Sequence, residues 1–152
     1  MQWLIDLWHN PYLWAAVISW AAAQIIKTLL NWGMERRLDF KRLWGDGGMP
    51  SAHCATVCSL AMMAALADGC GSFAFAVGVV LALIVCRDAM SVRLETGKQA
   101  MLLDEITALL EDIAAEDLPE IKLKKLVGHT PLQVLAGGCL GVVTSVILWL
   151  LW

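Results

Sequence analysis

Apolar residues in this chain fall into long, nearly unbroken runs rather than the alternation of half-buried strands. The runs are Pro11 to Gly33, Pro50 to Ala67, about Cys70 to Met90, and Pro131 to Trp152. A bilayer core roughly 30 Å thick needs about 20 residues of helix, so the pattern predicts about four transmembrane helices. Asn10-Pro11, Pro50-Ser51 and Thr130-Pro131 each pair a capping side chain with a proline suited to a first helical turn. Three of the four starts are thereby marked.

The segment Lys98 to Asp117 has a different period. Leu102, Leu103, Ile106, Leu109, Leu110 and Ile113 share one helical face, while Asp104, Glu105, Glu111 and Asp112 share the other. A carboxylate at mid-bilayer costs about 2.5 to 3.5 kcal/mol, which predicts an amphipathic helix outside the core. Its acidic face disfavours anionic head groups and favours packing across helix ends or against another subunit. The expected fold class is an all-α integral membrane helical bundle, one membrane-embedded domain over residues 1–152.

Composition agrees with that class. The chain is 59% hydrophobic and 16% charged, with eight Trp, outside the usual soluble balance. A net charge of −3 with no basic cluster interleaved with aromatics predicts no nucleic-acid partner. Cys54, Cys58, Cys70, Cys86 and Cys139 show no CxxC or Cys/His spacing, so they read as small hydrophobes, with no metal and no cofactor expected. The first nine residues lack a positive stretch, and the apolar run after them is too long for a signal peptide.

Charge sets the orientation. All eleven Lys and Arg residues fall at or near one predicted membrane face. The positive-inside rule makes that face cytoplasmic and puts both termini on the other side. The expectation is a multi-pass protein of a bacterial cytoplasmic membrane, in contact with membrane lipids.

Four spans also gather the reactive side chains. The start of the second span (Ser51, His53), the end of the third (Asp88, Arg93) and the start of the last (His129) reach the same face. Lys27 lies about 24 Å along the first span at 1.5 Å per residue, close to that face too. Gln24, Lys27 and Asn31 form a polar stripe at i, i+3 and i+7.

The stretch Gly47-Gly48-Met49-Pro50-Ser51-Ala52-His53 brings a glycine-rich approach to a helix start. Free N–H groups and the positive end of the helix dipole favour an anion there, and an imidazole beside it offers a proton or a nucleophile. Gly128-His129-Thr130-Pro131 repeats the arrangement at the last span. Plainer readings stand beside these: a snorkelling Lys27, capped helices with incidental histidines, and Asp88 as an ion partner for Arg87 or Arg93. Gly137 and Gly141, like Ala15, Ser19 and Ala23, have the small-residue spacing of close helix contact. That spacing serves the bundle or a homo-oligomer seam equally.

Together these residues resemble the divergent branch of the type 2 phosphatidic acid phosphatase superfamily, related to the vanadium haloperoxidases. The resemblance covers most of the chain. It rests on Ala23-Gln24-Ile25-Ile26-Lys27, the Gly47 to His53 stretch, Asp88-Ala89 with Val92-Arg93, Gly97-Lys98-Gln99-Ala100, and Gly128-His129-Thr130-Pro131 with Val134. It implies a metal-independent phosphomonoesterase acting on a lipid phosphate or small phosphoester through a phosphohistidine. His129 would be the nucleophile and His53 the general acid, with Lys27, Ser51 and Arg93 binding phosphate.

The chain also departs from the superfamily pattern. No Arg-Pro pair follows Lys27; Arg36 and Arg37 come later without a proline. Ala52 replaces the usual glycine and brings a Cβ near the anion. Gln133 stands where an aspartate orients the nucleophile, and Lys122, Lys124 and Lys125 stand where an arginine is usual. Gln133 and Gln24 are the expected orienting side chains, and Asp88 is the candidate for the missing carboxylate. A lipid-phosphate binder or transporter would use the same cradle without turnover, and a structural subunit would use none of it.

Overall fold

The computed structural model describes residues 1–35, 48–114 and 129–152, with side chains at 1–33, 48–91, 95–110 and 129–152. Among the described residues every regular element is helical: α1 (Gln2–Trp8), α2 (Pro11–Glu35), α3 (Ala52–Ala67), α4 (Phe73–Met90), α5 (Val92–Ala114) and α6 (Pro131–Leu151). The all-α membrane class read from the sequence holds. Stretches over Pro11–Gly33 and Pro131–Leu151, and one that begins at Phe73, are long and apolar enough to cross a bilayer. The fourth expected span is a 16-residue helix, α3, about 24 Å long and so short of a full crossing by itself.

That short helix is the centre of the bundle, packed against α2, α4 and α6. Its composition allows this, because small apolar residues occupy nearly every side of it. Across the bundle the usual size order is inverted. Ala15, Ser19, Ala23, Ala55, Ser59 and Ser145 are completely buried, whereas Leu83, Ile84, Leu135 and Leu150 face outward. Lipid is as apolar as leucine, so helices in it gain little by hiding large side chains. Close approach through small residues takes over.

The seams show how close that approach is. A Cβ at Gly141 would run into the Ala55 carbonyl oxygen, and one at Gly137 into that of Ser51. A Cβ at Gly78 would lie 2.9 Å from Ala61 Cα, closing the α3–α4 seam in the same way. The Gly137 and Gly141 spacing and the Ala15, Ser19, Ala23 stripe are therefore used inside the bundle. Hydroxyls brace the same seams. Ser145 Oγ donates to Ser59 O at 2.7 Å, and the Ser59 hydroxyl is shared between Thr56 O at 2.8 Å and Ala15 O at 3.2 Å.

Helix ends follow the expected chemistry with one exception. Asn10 Oδ1 accepts from the Tyr12 and Leu13 N–H groups ahead of α2, whose first residue is Pro11. Thr130 caps α6, which begins at Pro131. Pro50, by contrast, precedes the cap: Ser51 is the N-cap and α3 starts at Ala52. Between α3 and α4, Gly69 takes a φ of 85° and Ser72 caps α4 by accepting from the Phe75 N–H, so α4 begins three residues after Cys70.

Two helices lie outside the apolar runs. The apolar pattern did not announce α1; its Trp8 ring meets Trp14 edge to face, and the Trp14 indole N–H donates to Trp8 O at 2.7 Å. Exposed Trp3 and Trp8 suit a membrane–water interface. α5 begins at Val92, six residues before the amphipathic segment expected from Lys98. It buries Gly97 and Ala100, and leaves Leu102, Leu103, Ile106, Leu109 and Leu110 exposed. The Glu111, Asp112, Ile113 and Asp117 side chains of that expected segment lie outside the described residues.

Candidate functional site

The site is built from two helix mouths held side by side. Ser51 N–H donates to Gln133 O at 3.0 Å, which fixes the start of α3 against the first turn of α6. His129 N–H donates to Ala89 O at 3.0 Å, which fixes the residue before the α6 cap to the end of α4. The convergence of three helix ends on one face is thus observed. Within the α3 mouth the Ser51 hydroxyl accepts from the Cys54 N–H, so the Ala52 and His53 amides are the first-turn donors left without an intrahelical acceptor. Two positive dipole ends beside each other make the face attractive to an anion.

Lys27 belongs to this node. It is only 6% exposed, so its side chain is turned into the protein rather than snorkelling outward. Its stem runs beneath Gly48, where a Cβ would lie 3.1 Å from Lys27 Cδ and 3.2 Å from Cγ. Gly48 also has a φ of 85°, in the left-handed region that favours glycine. One residue therefore meets two demands, a backbone turn and room for the lysine stem. Gln24, one helical turn back along α2, is 8% exposed, and its Oε1 has no hydrogen-bond partner among the described residues.

His129 is 4% exposed, and its Nδ1 lies 3.2 Å from Gln133 Oε1. The same oxygen accepts the Thr130 N–H at 3.1 Å, while Thr130 Oγ1 accepts the Gln133 N–H at 3.4 Å, completing a capping box. The box assigns the amide orientation, because a backbone N–H requires an acceptor. With the Gln133 oxygen thus facing His129, Nδ1 must carry the imidazole proton, and in the neutral ring the lone pair is then on Nε2. A nucleophilic histidine needs that tautomer.

Ala52 packs between helices. Its side chain is buried against Ala23 and Ala55 in the α2–α3 seam, so the Cβ that replaces the usual glycine hydrogen packs into a helix interface. The structure thus brings Lys27, Ser51, His129 and Gln133 together, with Gln24 alongside. It leaves His53 and Asp88 exposed at the same end of the bundle, Asp88 next to the Ala89 whose carbonyl receives His129. The Arg93 side chain and Arg36, Arg37, Gly47, Lys122, Lys124 and Lys125 lie outside the described residues. Among the described residues no three His, Cys, Asp or Glu side chains are grouped to hold a metal ion.

Thr130 was expected as a cap and Gln133 as an orienting side chain, but the reciprocal box that joins them went unread, although it is visible as Thr-x-x-Gln ahead of an apolar run. The Ala89 carbonyl is a backbone group and carries no such signal.

The family model described as the Divergent PAP2 family matches residues 8–144. A Bacillus subtilis (strain 168) protein described as "Uncharacterized membrane protein YuiD" is 33% identical, over 95% of this chain and 97% of its own length. No solved structure matches the chain.

Proposed function

The chain belongs to the Divergent PAP2 family, and on that premise we propose that it is a metal-independent phosphomonoesterase acting on a lipid phosphate or small phosphoester. The observation that carries the reading is the buried His129, its Nδ1 held by Gln133 and its mouth shared with α3 and Lys27. In the reaction, His129 Nε2 attacks phosphorus as the P–O ester bond breaks. Lys27 and the first-turn amides of α3 stabilise the charge on the equatorial oxygens, joined by the Ser51 hydroxyl and by Arg93. His53, at the exposed rim, protonates the leaving oxygen. Water then cleaves the phosphohistidine and releases phosphate. Gln133 accepts the Nδ1–H throughout but offers no negative charge to the imidazolium-like ring, so turnover is slower than an aspartate would give, unless Asp88 supplies that charge.

Purified protein, with chelator present, should release inorganic phosphate from at least one member of a panel of lipid phosphates and soluble monoesters. A phosphoryl group trapped on histidine in acid-labile form would accompany it. No release from any member would sink the enzyme and leave the non-catalytic binder, a reading that the neutral Gln133 and the exposed His53 favour.

Anion binding can be tested apart from turnover. Phosphate or vanadate at 100 times its dissociation constant should stabilise the fold by about 2.7 kcal/mol. Lys27→Met should remove most of that, measured as the anion-dependent rise in thermal midpoint. An undiminished rise would leave Lys27 out of the cradle.

We assign the mouths to the cytoplasmic face from the one-sided distribution of Lys and Arg. Cys70 is exposed in the turn at the opposite end of α3. An impermeant maleimide should therefore label Cys70 on intact cells and fail on a Cys70→Ser control. Labelling that requires permeabilisation would reverse the orientation.

A further inference from the structure

Gln24 is an unusual residue to bury in this bundle. Its neighbour Ala23 is completely buried and packs on Ala52 and Ala55, so Gln24 lies level with the first turn of α3. Lys27 follows one turn along the same helix, equally buried. Yet Gln24 Oε1 is shut off from solvent without a donor among the described residues, although a buried amide left unpaired weakens a fold and an apolar side chain of the same size would not. Hydrophobic packing does not account for glutamine here. A ligand that brings its own donor would pair it.

We infer that on ligand entry the Gln24 amide turns toward the α3 mouth, where Oε1 accepts a hydrogen bond from an O–H group of the bound phosphate compound. The substrate class is then a phosphoester presenting a hydroxyl beside the anionic oxygens held by Lys27 and the α3 amides. This rests on the phosphate site proposed above. Two sources of the O–H fit one acceptor: a P–OH on phosphorus, or a carbon-bound hydroxyl next to the ester as in a polyol phosphate. Amide recognition of this kind selects strongly, because a ligand without the O–H enters a site whose buried polar atom stays unpaired.

Three dianions at pH 8 separate these cases without a change in protein ionisation. Methyl phosphate, whose second ionisation lies near pH 6 as for other monoesters, carries no O–H. Hydrogen phosphate keeps a P–OH, and glycerol 1-phosphate carries carbon hydroxyls. The unmodified protein should bind at least one of the latter two about 10- to 100-fold more tightly than methyl phosphate, as expected for one buried group gaining or lacking its partner. The tighter of the two identifies the source of the O–H. Gln24→Met should erase the advantage so that the three bind alike, while its ligand-free thermal midpoint equals or exceeds that of the unmodified protein. Lys27→Met should weaken all three together.

Equal binding of all three by the unmodified protein would overturn the inference. So would a Gln24→Met variant that keeps the advantage, or one whose ligand-free midpoint falls well below that of the unmodified protein, which would make Gln24 a structural brace. Failure of all three to bind would overturn the phosphate site itself, a separate outcome.

Discussion

Replacing His129 with alanine should lower phosphate release by at least about a thousandfold, since removing a covalent nucleophile removes the pathway and not merely a contact. His53→Ala should cost less, within the roughly hundredfold to ten-thousandfold range of general-acid catalysis, and least for aryl phosphates whose leaving oxygen needs no proton. The two variants differ in another respect. His129 is buried and tied to Ala89 and Gln133, whereas His53 is exposed at the rim. Loss of activity in His129→Ala must therefore be read beside retained phosphate-dependent stabilisation, which the cations and amides of the cradle should still supply in part. Turnover by His129→Ala at the unmodified rate would remove the nucleophile assignment.

The second large effect falls on the fold. Gly141→Ala and Gly137→Ala should each destabilise the bundle by about 1–3 kcal/mol, the usual cost of forcing atoms into a filled interior. The added Cβ meets the backbone carbonyls of Ala55 and Ser51, not the movable end of a side chain. Relief requires α6 to move away from α3, which also stretches the Ser51 N–H to Gln133 O bond that joins the two mouths. Gly138 provides the control on the same helix. A Cβ there would meet only Cys58 Sγ, at an ordinary 3.5 Å, and alanine is about 1 kcal/mol better than glycine inside a helix. Gly138→Ala should therefore hold or raise the thermal midpoint in detergent while its neighbours lower it. If all three shift alike, α3 and α6 do not approach as closely as described.

Much of this arrangement was legible in the chain. Uninterrupted apolar runs require helices, because only a helix satisfies its own backbone hydrogen bonds in lipid. Asn10 and Thr130 marked their helix starts through side chains that bond to neighbouring amides, a local chemistry that needs no fold. Consecutive antiparallel helices then put the ends of α2 and α4 and the starts of α3 and α6 on one face. The number of spans by itself groups Lys27, Ser51, Asp88 and His129.

Rotation about each helix axis was not legible, and the physical reason differs by element. α3 is apolar on every side, so no amphipathic stripe states which face turns inward; only its three packing partners leave Ala52 and Cys54 buried and His53 exposed. Lys27 had two outlets, lipid interface or interior, and only the packed structure, with Gly48 lying over its stem, shows the inward one. Gly137 and Gly141 fit an internal seam or an intermolecular one equally well, until the carbonyls of Ser51 and Ala55 were found against them. The sequence determined which segments are helices and which ends meet, because those follow from hydrophobic length and local capping. The tertiary structure alone decided which side chains look into the meeting point, because that depends on steric fit between helices distant in the chain.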